Sequence, residues 1–367
     1  MALFWLLHFA RPRSKSRRLL LVTLVLMNQL LFGLDTFGGI TKSPDGDLNT
    51  AAQVIRDVVA EAVLADKLGI DAFNIGEHHR EDFAVSAPDT ILAAIATLTS
   101  RIRIGTGVTV LSSEDPVRVY QRFATIQALS NGRAEITAGR GSFIESFPLF
   151  GFQLADYAQL FEEKLELLVK LLREQPVTWS GAMRSPLANQ QVYPKTESPI
   201  GLRVGVGGSP ESVIRAARLN IPLALAIIGG DPARFAAFSK LYRDSLAKLG
   251  QPELPISIHS PGLITETDDE AIEIGWPAYR ESFGKIGRER GWGETSIDHF
   301  IQEVRFGSMY FGSPETVAGK IIHALTSVGA SRFDLKYDNG PQPHATHLKT
   351  IELYATEVIP RVRKALG

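Results

Sequence analysis

Eight short apolar runs alternate with amphipathic stretches along this chain, and that rhythm leaves few folds open. The strand candidates are Leu31–Thr36, Ala72–Gly76, Ile102–Leu111, Ala134–Ala138, Leu202–Val206, Leu223–Ile228, Ile256–Ile264 and Phe333–Tyr337. Helical patterns fall between them, among them Ala51–Leu68, Val117–Leu129, Tyr157–Leu172 and Thr316–Val328, and His347–Leu366 closes the chain. Nearly continuous apolar strands suit a parallel sheet covered on its outer face by helices. Eight such units predict an α/β fold of the (β/α)8 TIM-barrel type rather than an open doubly wound sheet. Two stretches break the rhythm, Gln175–Pro199 and Glu273–Gly312. They read as insertions in the loops after strands 4 and 7, and loops of that length are usually lids or binding loops. Trp179, Tyr193, Trp276 and Trp292 within them suit a pocket lining or plain packing anchors equally well.

Composition narrows function by exclusion. Apolar residues make up 44% and charged residues 22%, ordinary for a globular chain with a sizeable core. The net charge is −1 and the only basic block is Arg11–Arg18, so the concentrated basic face that nucleic acid demands is missing. With no cysteine, disulfides, thiolate metal sites and cysteine nucleophiles are excluded. Residues 1–29 differ from the rest: the basic block precedes an apolar run, Leu19–Met27, far short of a membrane span. One reading is an extension upstream of a start at Met27, with residues 30–367 as a single domain. The other is a targeting signal, since "SRRLLL" (Ser16–Leu21) faintly suggests a twin-arginine type, though no A-x-A cleavage site follows. The expected setting is cytoplasmic, without stable membrane association.

In a (β/α)8 barrel the chemistry sits at the C-terminal ends of the strands. Those ends carry Asp35-Thr36-Phe37-Gly38, Glu77-His78-His79, Gly105-Thr106-Gly107-Val108, Gly139-Arg140-Gly141, Gly207-Gly208-Ser209, His259-Ser260 and Asp338-Asn339-Gly340. "VGVGGSPES" (Val204–Ser212) runs through glycines into a helix start, where backbone N–H groups and the helix N-terminus favour an anion. Ser209 and Ser212 add hydroxyls, and Ser209 serves as well as a plain N-cap. Arg140, between two glycines, can reach a phosphate or make an ordinary salt bridge. The glycines inside "IRIGTGVTVL" (Ile102–Leu111) mark a bulge or a close approach to the backbone. Adjacent residues of a strand point to opposite faces, so Glu77, His78 and His79 cannot converge on one metal ion. No H-E-x-x-H and no G-x-S-x-G motif occurs, and no metal is expected. His78 is therefore expected to face the barrel mouth, with Glu77 and His79 in supporting hydrogen bonds.

Taken together these positions resemble the bacterial luciferase-like flavin-dependent monooxygenases, from Phe32 to the end of the chain. The likeness rests on Glu77-His78-His79, on Gly105-Thr106 followed by Asp115-Pro116-Val117-Arg118, on Ser130-Asn131-Gly132-Arg133 before Gly139-Arg140-Gly141, and on the turn after strand 5. It implies a site for reduced FMN, used with O2 to oxidise a small organic substrate. Arg140, Ser209 and Ser212, with the backbone of Gly208, would hold the phosphate. The isoalloxazine would rest near Gly107 and Val108, where relatives carry a non-prolyl cis peptide. His78 matches the catalytic histidine that supports formation or breakdown of the flavin hydroperoxide. Gly208 is a departure, standing where luciferase has a glutamate. No nicotinamide fingerprint occurs, which implies a separate flavin reductase, and relatives imply a homodimer. A deazaflavin-dependent oxidoreductase and a non-catalytic flavin-binding protein are the alternatives.

Overall fold

The computed structural model describes residues 30–141, 143–173, 175–290 and 295–367. Eight parallel strands close into a barrel: β1 Leu31–Thr36, β2 Ala72–Ile75, β3 Arg103–Thr106, β4 Ala134–Gly139, β5 Gly201–Val206, β6 Leu223–Ala226, β7 Ile256–Ile264 and β8 Arg332–Lys336. Closure comes from β8 pairing with β1, Leu31 opposite Arg332 and Leu34 opposite Leu335. The predicted TIM barrel is therefore the fold observed. One run differs: Ile102–Leu111 is broken at the cis peptide Gly107–Val108, and Thr109–Val110 pairs separately with β4.

Period-two alternation divides each strand between two environments. Phe32 and Leu34 of β1, Phe73 and Ile75 of β2, Ile136 of β4, Val204 and Val206 of β5, and Phe333 and Leu335 of β8 are buried in one core between sheet and helices. The alternate positions face the barrel axis, where glycine and alanine stand beside buried charged side chains. Arg332 reaches both oxygens of Glu135 (3.0 and 2.7 Å) and, through Nε, Asp334 at 2.8 Å. Arg203 joins the same two carboxylates, at 3.1 Å to Glu135 and 2.9 Å to Asp334. Burial pushes the Glu135 carboxyl up, and the two guanidinium groups outweigh it and hold it down at about 2. Glycine makes the space. A Cβ on Gly33 would stand 2.0 Å from Asp334 Oδ1, and one on Gly105 would stand 2.7 Å from Glu135 Cγ.

The C-terminal segment locks onto helix Ala51–Leu68 through one buried acid. Glu61 accepts from the Tyr337 hydroxyl at 2.7 Å and lies 3.2 Å from His347 Nδ1 and 3.3 Å from His344 Nε2. Burial pushes Glu61 up, but hydrogen bonds from these histidines and Tyr337 hold it down at about 2. The last helix is not continuous. Helices His344–Leu353 and Ile359–Leu366 flank a π segment, Tyr354–Val358. Pro360 has no N–H to return to the preceding turn, and one widened turn absorbs the loss.

The two insertions behave differently. Gln175–Pro199 follows the helix Tyr157–Leu172, which has already run back to the N-terminal end of the barrel, so it does not cover the mouth. Instead its hairpin, Val177–Trp179 with Leu187–Gln190, lies along the outer wall. Arg184 pairs with Asp115 (2.7 Å), Met183 N–H donates to Glu163 (2.9 Å) and Pro194 O accepts from Tyr120 (2.9 Å). Trp179 is buried in the main core and Tyr193 is exposed, so neither lines a pocket. The second insertion does reach the mouth. Helix Asp268–Arg290 pairs Lys285 with Glu81 (2.7 Å) and Glu281 with Lys42 (3.6 Å), over the loops after β2 and β1. Trp276 and Tyr279 pack on Phe300 within that insertion's own small core, as packing anchors. Trp292, like residues 1–29 and Ser142, lies outside the described residues.

Removing one member of a buried ion network leaves its partners uncompensated, whereas an exposed pair is worth little. Glu135→Ala is therefore expected to lose roughly 3–5 kcal/mol in urea unfolding. Glu162→Ala, which breaks the exposed pair with Arg218, should change it by under about 1 kcal/mol. Equal effects would contradict this account.

Candidate active site

The turn after β1 is held by Asp338, two residues beyond the end of the neighbouring strand β8. Its Oδ2 accepts from Thr36 Oγ1 (3.0 Å), Phe37 N (2.7 Å) and Gly39 N (3.0 Å), while Oδ1 pairs with Lys336 at 2.9 Å. This places the Phe37 ring at the mouth, between two histidines. His78 meets it edge-on at 4.7 Å, and His259 stacks on it at 6.0 Å with an interplanar angle of 11°. Lys336 Nζ lies 4.8 Å from the same ring.

His78 lies beyond the end of β2, with its backbone N–H on Val85 O (3.0 Å). Phe37, Phe83 (4.4 Å) and Phe143 (4.9 Å) enclose its ring. Burial, reinforced by the Lys336 charge, pushes its pKa down to about 3, so the ring stays neutral through the physiological range. Among the described residues no side chain hydrogen-bonds it, which leaves both ring nitrogens for a ligand. Glu77 and His79 take the supporting positions expected of them. Glu77 Oε1 lies 2.9 Å from His79 Nε2, and Oε2 accepts from Val110 N at 3.2 Å. The expected reason was wrong, however. β2 stops at Ile75, so loop geometry rather than strand alternation separates the three side chains.

Val108 turns its side chain into the mouth over two glycines. A Cβ on Gly139 would stand 2.5 Å from Val108 Cγ2, and one on Gly205 would stand 3.2 Å from Cγ1. The cis peptide Gly107–Val108 sits where the sequence resemblance implied one. The turn after β5 brings Arg140, Ser209 and Ser212 into one neighbourhood. Ser209 is the N-cap of helix Pro210–Leu219, accepting from Ser212 N, and its hydroxyl donates to Glu211 at 2.7 Å. The Ser209 hydrogen bond, with the nearby Arg215 and Arg140 charges, lowers the Glu211 carboxyl. Arg140 lies over the Tyr157 ring (5.1 Å), whose hydroxyl donates to Gly141 O at 2.9 Å. Gly208 has φ +110°, a conformation that favours glycine, and a Cβ on Gly207 would meet open space.

Sequence reasoning missed Arg215. It stands three residues after Ser212, hence on the same helix face, with Nη1 3.5 Å from the Ser212 hydroxyl and a buried Nε that has no partner. That spacing was the available signal. Asp35, Phe37, His259 and Asp338 were noted at strand ends, but nothing local in the sequence reveals that they meet. Two guanidinium groups, two hydroxyls and a helix N-terminus form a donor set that fits a phosphate. Glu211 would have to release Ser209, which an exposed side chain can do.

The mouth thus carries a histidine in an aromatic cage after β2 and, around the turn after β5, two arginines near a helix N-terminus. The chain belongs to the luciferase-like monooxygenase family, which matches residues 36–332. It is 24% identical over 336 residues to the uncharacterized protein y4vJ of Sinorhizobium fredii, covering 87% of this chain and 94% of that one. It is 31% identical over 185 residues to the N-acetyl-S-alkylcysteine monooxygenase of Bacillus subtilis, 49% of this chain and 53% of that one. An F420-dependent glucose-6-phosphate dehydrogenase of Amycolatopsis mediterranei is 28% identical over 255 residues, 66% and 71% of the two chains. Among solved structures, the monooxygenase RslO1 of Streptomyces bottropensis superposes with a TM-score of 0.78 at 22% identity, over 90% of this chain and 99% of that one. The FMN complex of the oxygenating constituent of 3,6-diketocamphane monooxygenase from Pseudomonas putida gives 0.71 at 18% identity, over 91% and 98%. At these identities the superpositions show the fold.

The desolvated His78 has a consequence for acid stability. Its folded pKa lies below its unfolded value, so as pH falls below about 6.5 the unfolded chain takes up a proton that the folded chain refuses until about 3. Stability should fall with acidification by roughly 1.4 kcal/mol per pH unit from this group. Between pH 7 and 4.5 the wild type should therefore lose roughly 2–3 kcal/mol more than His78→Phe in urea unfolding. Parallel losses would show that the ring is not desolvated.

Proposed function

We propose that this chain is a flavin-dependent monooxygenase that uses reduced FMN and O2 to oxidise a small organic substrate. The observation that carries the reading is the cup after β5. A terminal phosphate monoester carries nearly two negative charges; Arg215 stands 3.5 Å from the Ser212 hydroxyl, and the Arg140 charge is close enough to lower Glu211 in the same turn. The phosphodiester inside a deazaflavin such as F420 carries one. Charge matching therefore favours FMN. Bound in its reduced form, FMN would supply the electrons that activate O2.

The chain's own residues supply the setting. Val108, resting on Gly139 and Gly205, offers an aliphatic shelf at the mouth. Phe37, Phe83 and Phe143 keep water from His78, and its neutral ring can donate one hydrogen bond and accept another there. Helix Asp268–Arg290 covers the loops after β1 and β2. The lack of a nicotinamide fingerprint supports delivery of reduced flavin by a separate reductase. A deazaflavin oxidoreductase is the second reading, supported by the F420-dependent relative above.

Fluorescence titration with FMN and with F420, followed by O2 consumption with reduced FMN, tests this. FMN should bind the more tightly, and Arg140→Ala and Arg215→Ala should each weaken it by about ten-fold or more. His78→Ala should leave binding within about threefold and lower coupled oxygenation by roughly 10²-fold. Preferential F420 binding without O2 chemistry would select the second reading. FMN binding that neither arginine affects would remove the cup from the site.

A further inference from the structure

One buried acid–base pair has no part in the reading above. Asp35 points into the barrel axis and is 3% exposed. Its Oδ1 accepts from Asn74 Nδ2 at 2.6 Å, and its Oδ2 is in hydrogen-bond contact with His259 Nδ1. Burial pushes the Asp35 carboxyl up. The charge and hydrogen bond of His259, the hydrogen bond from Asn74 and the more distant Arg203 charge outweigh it and hold the carboxyl below its usual range. Asp35 is thus an anion and Nδ1 of His259 is the donor. In the neutral ring that fixes the tautomer, placing the proton on Nδ1 and a lone pair on Nε2. Nε2 has no hydrogen-bond partner among the described residues. The His259 side chain is 16% exposed against 4% for Asp35, so of the pair the histidine is the member that solvent or a ligand can reach. Phe37, stacked on its face, holds the plane.

We propose that His259 is the residue that accepts and returns a proton at this mouth, with Asp35 and Asn74 as its positioning residues. The proposal rests on reading the mouth as an oxygenase site. His78 is poorly suited to that task, because its aromatic cage resists a charged ring. His259 has an anion behind it. In the step, an O–H or N–H bond of the substrate breaks, its electron pair stays on the heteroatom and the proton adds to Nε2. The imidazolium so formed shares its Nδ1–H with Asp35, and the reverse transfer returns the proton to the product. The charged groups facing His259 are Asp35 from β1, Arg203 from β5, and Asp334 and Lys336 from β8. Arg203 is itself paired with Asp334, and Lys336 with Asp338, so the Asp35 anion is the charge in direct contact.

Two measurements decide it. Side-chain 15N NMR of the full-length chain, with His259→Gln for assignment, should show the His259 proton on Nδ1 throughout the titration, with Nε2 the nitrogen that gains and loses. Asp35→Asn should reduce the share of the neutral ring protonated on Nδ1, as loss of the anionic acceptor does, and Asp35→Glu should restore it. With reduced FMN, His259→Gln should lower kcat by roughly 10²-fold or more and leave KM and FMN affinity within about threefold. Should Asp35→Asn fail to fold, the wild-type tautomer and His259→Gln still carry the test. A neutral ring protonated on Nε2, a tautomer indifferent to Asp35, or normal turnover by His259→Gln would each overturn the proposal. A wild type that neither binds FMN nor consumes O2 would refute the oxygenase reading instead, and the NMR titration would still decide whether the pair exists.

Discussion

Glu135 and Asp334, clasped by Arg203 and Arg332, join β4, β5 and β8 through the centre of the barrel. Much else in the structure follows from that choice. Barrels of this type more often fill the axis with branched aliphatic side chains. Here two anions and two cations occupy it, and their desolvation is tolerable because each carboxylate meets both arginines. Glycine at positions 33 and 105 is required, since no larger residue fits beside the carboxylates. The apolar surface buried on folding is correspondingly concentrated between the strands and the outer helices. The axis is left polar from floor to mouth, and Asp35, Asn74 and His259 continue it upward.

This division explains what the sequence could and could not reveal. The outward residues of each strand announce themselves, because two-sided burial in a parallel sheet produces compact apolar runs. All eight barrel strands were legible for that reason. The inward residues were legible only as types. Glu135 and Arg332 are 197 positions apart, and Asp35 and His259 are 224 apart. No local pattern can pair such residues. The residues around the turn after β5 fared better, because Ser209 and Ser212 are three positions apart and Arg140 directly follows the adjacent strand. The misplaced insertion has a simpler cause. Gln175–Pro199 does lie between strands 4 and 5, but the helix Tyr157–Leu172 precedes it, and its hairpin packs along the outer wall as far as Asp115. The cover actually standing over His78 includes Phe143, which sits in the shorter segment directly after β4.

The mouth has two electrostatic halves. Over β1 and β2 it is dry and aromatic, with His78 held neutral among three phenylalanines. After β4 and β5 it is wetter and cationic, with Arg140 and Arg215 flanking a helix N-terminus. Two histidines touching the same Phe37 ring thereby acquire different chemistry. His78 has no ionic partner in hydrogen-bond reach among the described residues, while His259 is held by a carboxylate. Residue type alone would have treated them as equivalent.

Lys336 ties these features together. As the last residue of β8 it pairs with Asp338, the carboxylate that fixes the turn carrying Phe37. Its ammonium lies over the Phe37 ring and adds to the burial that keeps His78 uncharged. Burial is the main reason that His78 stays neutral; Lys336 adds to it and Asp338 opposes it, while Asp338 also positions the aromatic wall. Neutralising Lys336 would be felt first as electrostatics at His78, whereas removing Asp338 would release the turn and displace Phe37 from both histidines. On this side of the mouth, shape and charge are therefore linked through Asp338, and a change there is felt by both.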